Sequence, residues 1–85
     1  MKISLKYFAA LREAVGTGQE QLELPPDVTT VGGVRELLRA RGGAWAEALA
    51  PERAVRMAHK HVMCDGDMQV EDGAEVAFFP PVTGG

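Results

Sequence analysis

Thr30-Val31-Gly32-Gly33-Val34-Arg35-Glu36-Leu37-Leu38-Arg39-Ala40-Arg41-Gly42-Gly43 is the stretch that organises the rest of the chain. Val34, Leu37, Leu38 and Arg41 recur at the three- and four-residue steps that bring side chains onto one face of a helix. Thr29 or Thr30 offers a side-chain oxygen to cap the helix start, and Gly42-Gly43 offers the stop. This is the one long helical pattern in the chain. Its apolar stripe has to pack on something, and the strands around it provide the surface.

Toward the amino terminus, Ile3, Leu5 and Tyr7 alternate with Lys2, Ser4 and Lys6 over Lys2 to Phe8. Period two predicts a half-buried strand. Ala9 to Ala14 predicts a short helical turn, broken by Gly16-Thr17-Gly18. Gln19 to Leu24 alternates again, so a hairpin with the first strand is expected, closed by Pro25-Pro26-Asp27. Toward the carboxyl terminus, Trp45, Ala46 and Leu49 predict a further turn ended by Pro51, with Trp45 plugging the core over the helix end. Arg53 to Val62 predicts a third strand and Met68 to Val70 a short edge strand. Asp65-Gly66-Asp67 and Glu71-Asp72-Gly73 are expected turns, with Gly66 and Gly73 at positive φ. Glu75 to Phe79 is a last strand running into Pro80-Pro81. In this order the first and last strands can lie parallel at the centre while the helix crosses one face. The expected class is α+β, the β-grasp arrangement of ubiquitin-like domains, as one domain over 1–85 with a flexible tail over 80–85.

Charge and composition exclude several roles. The formal net charge is −3, and the arginines (Arg12, Arg35, Arg39, Arg41, Arg53, Arg56) are scattered without a basic stripe, which argues against nucleic acid. A single cysteine, Cys64, cannot form an internal disulfide, which fits a reducing cytoplasm. The start lacks the apolar region of a signal peptide, and no apolar run approaches bilayer length, so no membrane role is expected. His59 and His61 stand two apart and would share one face of a strand, but without a second pair of ligands no metal site is expected. Cys64 sits beside Asp65 with no neighbouring cation and reads as inert. Gly32-Gly33 lacks the Lys-Ser/Thr of a phosphate loop.

The last ten residues, Val76-Ala77-Phe78-Phe79-Pro80-Pro81-Val82-Thr83-Gly84-Gly85, carry no charged side chain, although 25% of the chain is charged. Phe78 shares parity with Val76 and is expected in the core. Phe79 then faces outward and joins Phe8, Pro81 and Val82 in an apolar patch suited to docking. Two prolines stiffen the exit of the chain, and Gly84 and Gly85 give it the narrowest cross-section a chain can have. A carboxylate presented this way can enter a narrow channel of another protein. It must be activated before it reacts, usually as an acyl-adenylate made from ATP, and a glycine carbonyl leaves the reacting carbon open to attack.

Tyr7-Phe8-Ala9-Ala10-Leu11-Arg12-Glu13 resembles the first-strand and helix-entry signature of the small subunits of molybdopterin synthase. Asp72-Gly73-Ala74-Glu75-Val76-Ala77-Phe78-Phe79-Pro80-Pro81-Val82-Thr83-Gly84-Gly85 resembles their carboxyl-terminal signature nearly throughout, and the similarity extends over essentially the whole chain. The resemblance implies a sulfur carrier of molybdenum cofactor biosynthesis, not an enzyme on its own. A ubiquitin-activating-like partner adenylates Gly85 with ATP and magnesium, a persulfide protein delivers sulfur, and the tail becomes a thiocarboxylate. The large synthase subunit, in a heterotetramer, receives Gly84-Gly85 and converts cyclic pyranopterin monophosphate to molybdopterin. Phe8, Arg12, Phe79, Pro80, Pro81, Val82 and Thr83 would meet the partner, and no cofactor is held by the carrier itself. Two positions depart from the family pattern: Ala74 stands where Asp is usual, and Lys60 where Asn is usual. Other acceptors stay open, because the tail is shared by carriers for thiamine thiazole formation, tRNA thiolation and cysteine synthesis, and by ubiquitin-like protein modifiers.

Overall fold

The structure, a computed structural model, describes residues 1–80. Its elements in chain order are β1 (Lys2–Tyr7), α1 (Ala9–Val15), β2 (Gln19–Glu23), α2 (Val31–Arg39), α3 (Gly43–Ala48), β3 (Arg56–His59), β4 (Val62–Cys64) and β5 (Glu75–Phe79). The five strands form one mixed sheet in the order β2-β1-β5-β3-β4. β1 pairs antiparallel with β2 and parallel with β5, with Leu5 opposite Val76 and Tyr7 opposite Phe78. This is the β-grasp arrangement that the order of strands and helix along the chain predicts.

α2 crosses one face because its apolar stripe meets theirs. Val31, Val34 and Leu38 pack on Ile3, Leu5, Tyr7, Val76 and Phe78, and each of these side chains is 2% exposed or less. Thr30 caps the helix, its Oγ1 accepting from the N–H of Gly33 at 3.0 Å. Gly32 is explained by packing: its N–H donates to the carbonyl of Gly66 at 2.9 Å, and a Cβ there would come within 3.0 Å of that oxygen. The helix ends at Arg39, short of Arg41. The N–H groups of Arg41 and Gly42 turn to the carbonyls of Leu38 and Arg39, three residues back, and Gly42 closes the turn at φ +78.

The segment after α3 differs from the sequence expectation. The single strand expected over Arg53 to Val62 is a hairpin, β3 and β4, turning at Lys60-His61. Both residues hold positive φ, +53 and +68, as a two-residue turn matched to sheet twist requires. Glycine or asparagine usually marks such a turn, and neither is present, so alternation seemed to run through it. β4 therefore takes the edge place expected of Met68 to Val70, which contributes only an isolated bridge between Gln69 and Thr30. Gly73 has the expected positive φ, +79, but Gly66 does not. Its missing side chain serves instead the close approach to Gly32, whose Cα would lie 3.4 Å from a Cβ on Gly66.

Candidate functional site: the end of the sheet where the chain leaves

β5 delivers two consecutive phenylalanines to opposite faces. Phe78 is fully buried and stacks on Tyr7, ring centroids 6.4 Å apart. Phe79 lies half-buried on the face without a helix, in register with Arg56 of β3. Its ring centroid is 5.4 Å from that of Phe8, which is 43% exposed. Phe8 stands there because its N–H bonds the carbonyl of Phe78, carrying the β1–β5 pairing one residue further. Its own carbonyl accepts from Leu11 and Arg12, so α1 starts at once. Arg12 is exposed and lies against Gly18, where a Cβ would come within 3.0 Å of its Nε. Phe8 and Arg12 line one shallow depression with Thr17 and Gly18. Pro80 is half-buried and lines a groove between α1 and α3 with Ala10, Leu11, Ala14, Ala48 and Val55.

The structure thus brings Phe8, Arg12, Phe79 and Pro80 to one end of the molecule. Pro81, Val82, Thr83, Gly84 and Gly85 lie outside the described residues. The far end of the same face is charged: Glu75 stands 3.5 Å from Lys6 Nζ and 3.5 Å from His61 Nδ1. The two family departures are at that far end as well. Lys60 donates its N–H to the carbonyl of Glu75, and Ala74, buried, precedes Glu75. Neither touches the Phe8–Phe79 contact.

His59 and His61 do not share a face. His59 is buried on β3, where its Nε2 accepts from the N–H of Glu71 at 3.1 Å, whereas His61 sits exposed in the turn. Among the described residues no group of three or more His, Cys, Asp or Glu side chains comes together to hold a metal. Burial, with the charge of Asp65, pushes the Cys64 thiol up and away from thiolate character.

Two polar arrangements went unread in the sequence. Tyr7 Oη donates to Glu20 at 3.0 Å, and Arg41 grips both Glu20 oxygens at 2.8 and 2.9 Å. The Arg41 guanidinium lies 4.5 Å over the Trp45 ring, and that ring meets Tyr7 edge-on at 5.3 Å. Trp45 is the plug expected of it, half-buried against the core. The hydrogen bond from Arg41 holds the Glu20 carboxyl below its ordinary range, and burial, with that carboxylate, keeps the Tyr7 phenol protonated. Arg35 donates to the carbonyls of Leu49, Ala50 and Arg53, at 2.8, 2.6 and 3.1 Å, and ties down the chain leaving α3. Partial burial lowers the Arg35 pKa from its usual value. Both arrangements are structural, and no local pattern announces them.

A ubiquitin-like β-grasp domain with an apolar surface beside the chain exit is the class these features define. The chain belongs to the ThiS family, whose model matches residues 5–85. It is 39% identical over 83 residues to the molybdopterin synthase sulfur carrier subunit of Escherichia coli (strain K12), covering 98% of this chain and 99% of that protein. Among solved structures it resembles the putative molybdopterin converting factor, subunit 1, of Pyrococcus furiosus, with 27% identity, TM-score 0.77 and coverage of 96% of this chain and 99% of that one. It also resembles a chain in the protein–protein complex of subunit 1 and 2 of molybdopterin-converting factor from Helicobacter pylori 26695. There the TM-score is 0.70 over 100% of both chains at 17% identity, which speaks to the fold alone. Among the described residues no helix is long and apolar enough to cross a membrane.

Proposed function

We propose that this chain is a cytoplasmic sulfur carrier for molybdenum cofactor synthesis, one domain over 1–85 whose tail, 80–85, carries the reactive group. The Gly85 carboxylate attacks ATP on a ubiquitin-activating-like enzyme with magnesium, releasing pyrophosphate and leaving an acyl-adenylate. The terminal sulfur of a persulfide protein displaces AMP to give an acyl disulfide. A second thiol then attacks the persulfide protein's sulfur, breaking the S–S bond and leaving a protein disulfide and the Gly85 thiocarboxylate. The large molybdopterin synthase subunit then takes Gly84-Gly85 into its active site, and the thiocarboxylate sulfur attacks cyclic pyranopterin monophosphate. Acid, base and substrate-binding groups belong to that partner; the carrier contributes a nucleophile and a docking surface.

The observation that carries this reading is the Phe8–Phe79 contact. Two large apolar rings stand on the uncovered sheet face at the point where Pro80 starts the tail. Such a patch costs solubility unless a partner covers it. The 39% identity to a sulfur carrier subunit over nearly the full length of both chains favours this acceptor over the other sulfur pathways.

The test is a reconstituted reaction. With activating enzyme, ATP, magnesium and a sulfur source, the chain gains the mass of one oxygen replaced by sulfur, and deletion of Gly85 abolishes the gain. The purified thiocarboxylate, given the large subunit and cyclic pyranopterin monophosphate, then yields molybdopterin with two carriers spent per product, since a dithiolene needs two sulfurs. Thiolation of tRNA or of the thiazole precursor by the same preparation, without molybdopterin, would replace this reading.

A further inference from the structure

The arginines are scattered along the sequence, but in space they fall into two groups. Three are committed within the fold: Arg35 to the carbonyls of Leu49, Ala50 and Arg53, Arg39 to Glu36 at 2.8 Å, and Arg41 to both oxygens of Glu20. The other three, Arg12, Arg53 and Arg56, are exposed and stand where the chain leaves the sheet.

Each lies beside one of the apolar residues of that exit. Arg12 lines the shallow depression that holds Phe8. Arg56 is opposite Phe79 in the β3–β5 register, and residues paired across strands point to the same side of a sheet. Arg53 lines the groove that Pro80 enters, its N–H bonded to the carbonyl of Ala50 and its own carbonyl held by Arg35. Among the described residues none of the three is drawn into a close ion pair. Arg53 reaches Glu47 only at 3.8 Å, with both side chains more than half exposed. Asp65 shares a depression with Arg56 without pairing to it. With these acids close in space, and Glu13 and Glu52 next to Arg12 and Arg53 in the chain, the exit is not the one-sign field that nucleic acid requires. It offers instead separate guanidinium groups set around an apolar centre, the anatomy of a protein docking surface.

We infer that Arg53 and Arg56, together with Arg12, form the rim of the surface on which the tail-accepting partner docks, and that the partner sets carboxylates against them around the mouth that receives the tail. The inference rests on the proposed docking of the large molybdopterin synthase subunit at Phe8 and Phe79, and adds the chemistry of that partner's rim. Each guanidinium can take a carboxylate through two parallel hydrogen bonds. Exposed pairs contribute little apiece, so their work is to fix the orientation in which the tail meets its channel and to speed the encounter.

The experiment measures association rate and affinity for the purified large subunit at low and at high salt, with denaturation midpoints for each free chain. Wild type is compared with Arg53→Ala plus Arg56→Ala, and with Lys2→Ala plus Lys60→Ala, which removes the same charge at the opposite end of the sheet. The arginine double variant keeps its midpoint and loses about three- to tenfold in affinity at low salt, a loss that shrinks at high salt. The lysine double variant stays within about twofold of wild type. Arg53→Lys plus Arg56→Lys keeps the charge but not the planar fork, so it recovers part of the affinity. Wild-type affinity in the arginine double variant overturns the inference. So does an equal loss in the lysine variant, which would make net charge the cause, or a loss that salt leaves unchanged, which would make it packing. Failure of the wild-type chain itself to bind the large subunit would bring down the proposed function, and this inference with it.

Discussion

Replacing each of the two adjacent phenylalanines by alanine separates the fold from the docking surface. Phe78 is fully buried and stacked on Tyr7, so Phe78→Ala loses the whole transfer of the ring and leaves a cavity in the centre of the core. The expected cost is about 3–5 kcal/mol. Phe79 is half-buried, with Phe8 as its ring neighbour. Losing part of its burial and one aromatic pair costs about 1–2 kcal/mol. A domain of this size holds about 5–15 kcal/mol in total, so the first variant surrenders a large share of it and the second does not. At roughly 4–8 °C per kcal/mol the melting midpoint falls by about 12–40 °C in Phe78→Ala and about 4–16 °C in Phe79→Ala. Urea titrations of both variants at unchanged slope, with affinity for the large subunit measured well below each midpoint, make the comparison. Phe79→Ala is expected to lose more than about 1 kcal/mol of binding. Equal losses of stability in the two variants, or normal affinity in Phe79→Ala, would refute the assignment of faces.

Two further outcomes follow from side chains that the docking surface does not use. The Arg41 hydrogen bond depresses the Glu20 pKa in the folded chain, so its stabilisation is present above the ordinary carboxyl pKa and lost as pH falls through the lowered folded value. Wild type should therefore lose stability on the acid side of about pH 4.3 more steeply than Glu20→Gln, and equal slopes in acid titrations of the two would exclude the linkage. The double change Lys60→Asn with His61→Gly puts turn-favouring residues at the two positive φ angles. It should raise stability by about 1 kcal/mol, read as a higher urea midpoint, because relief of about 1–2 kcal/mol outweighs the exposed pair between Lys60 Nζ and Glu71 Oε2, 3.2 Å apart and worth under about 1 kcal/mol; an unchanged midpoint would show that the hairpin carries no strain.

Much of the architecture was legible because it depends on near neighbours along the chain. The alternation of Ile3, Leu5 and Tyr7, the stripe from Val34 to Leu38, and the parity that separates Phe78 from Phe79 are periodicities, and a strand or helix turns them directly into faces. The Lys60-His61 hairpin was missed for a complementary reason. Its turn is held by pairing between β3, β4 and β5, and it overrides residues that have no local preference for it.

Other features depend on distance in space. Arg35 finds its carbonyls 14 to 18 positions away, and Arg41 finds Glu20 at 21. Neither pairing has a signature, because only the packing of α2 against α3, and the approach of the turn after α2 to β2, decides which groups meet. Phe8 shows the division within one residue. By itself the sequence determined that a large apolar ring follows β1, and that the chain carries an uncharged Pro-Pro and Gly-Gly lead-out. That the ring stands exposed against Phe79, beside the exit of the chain, was decided only by the tertiary structure, since the parallel pairing of β1 with β5 sets both residues side by side.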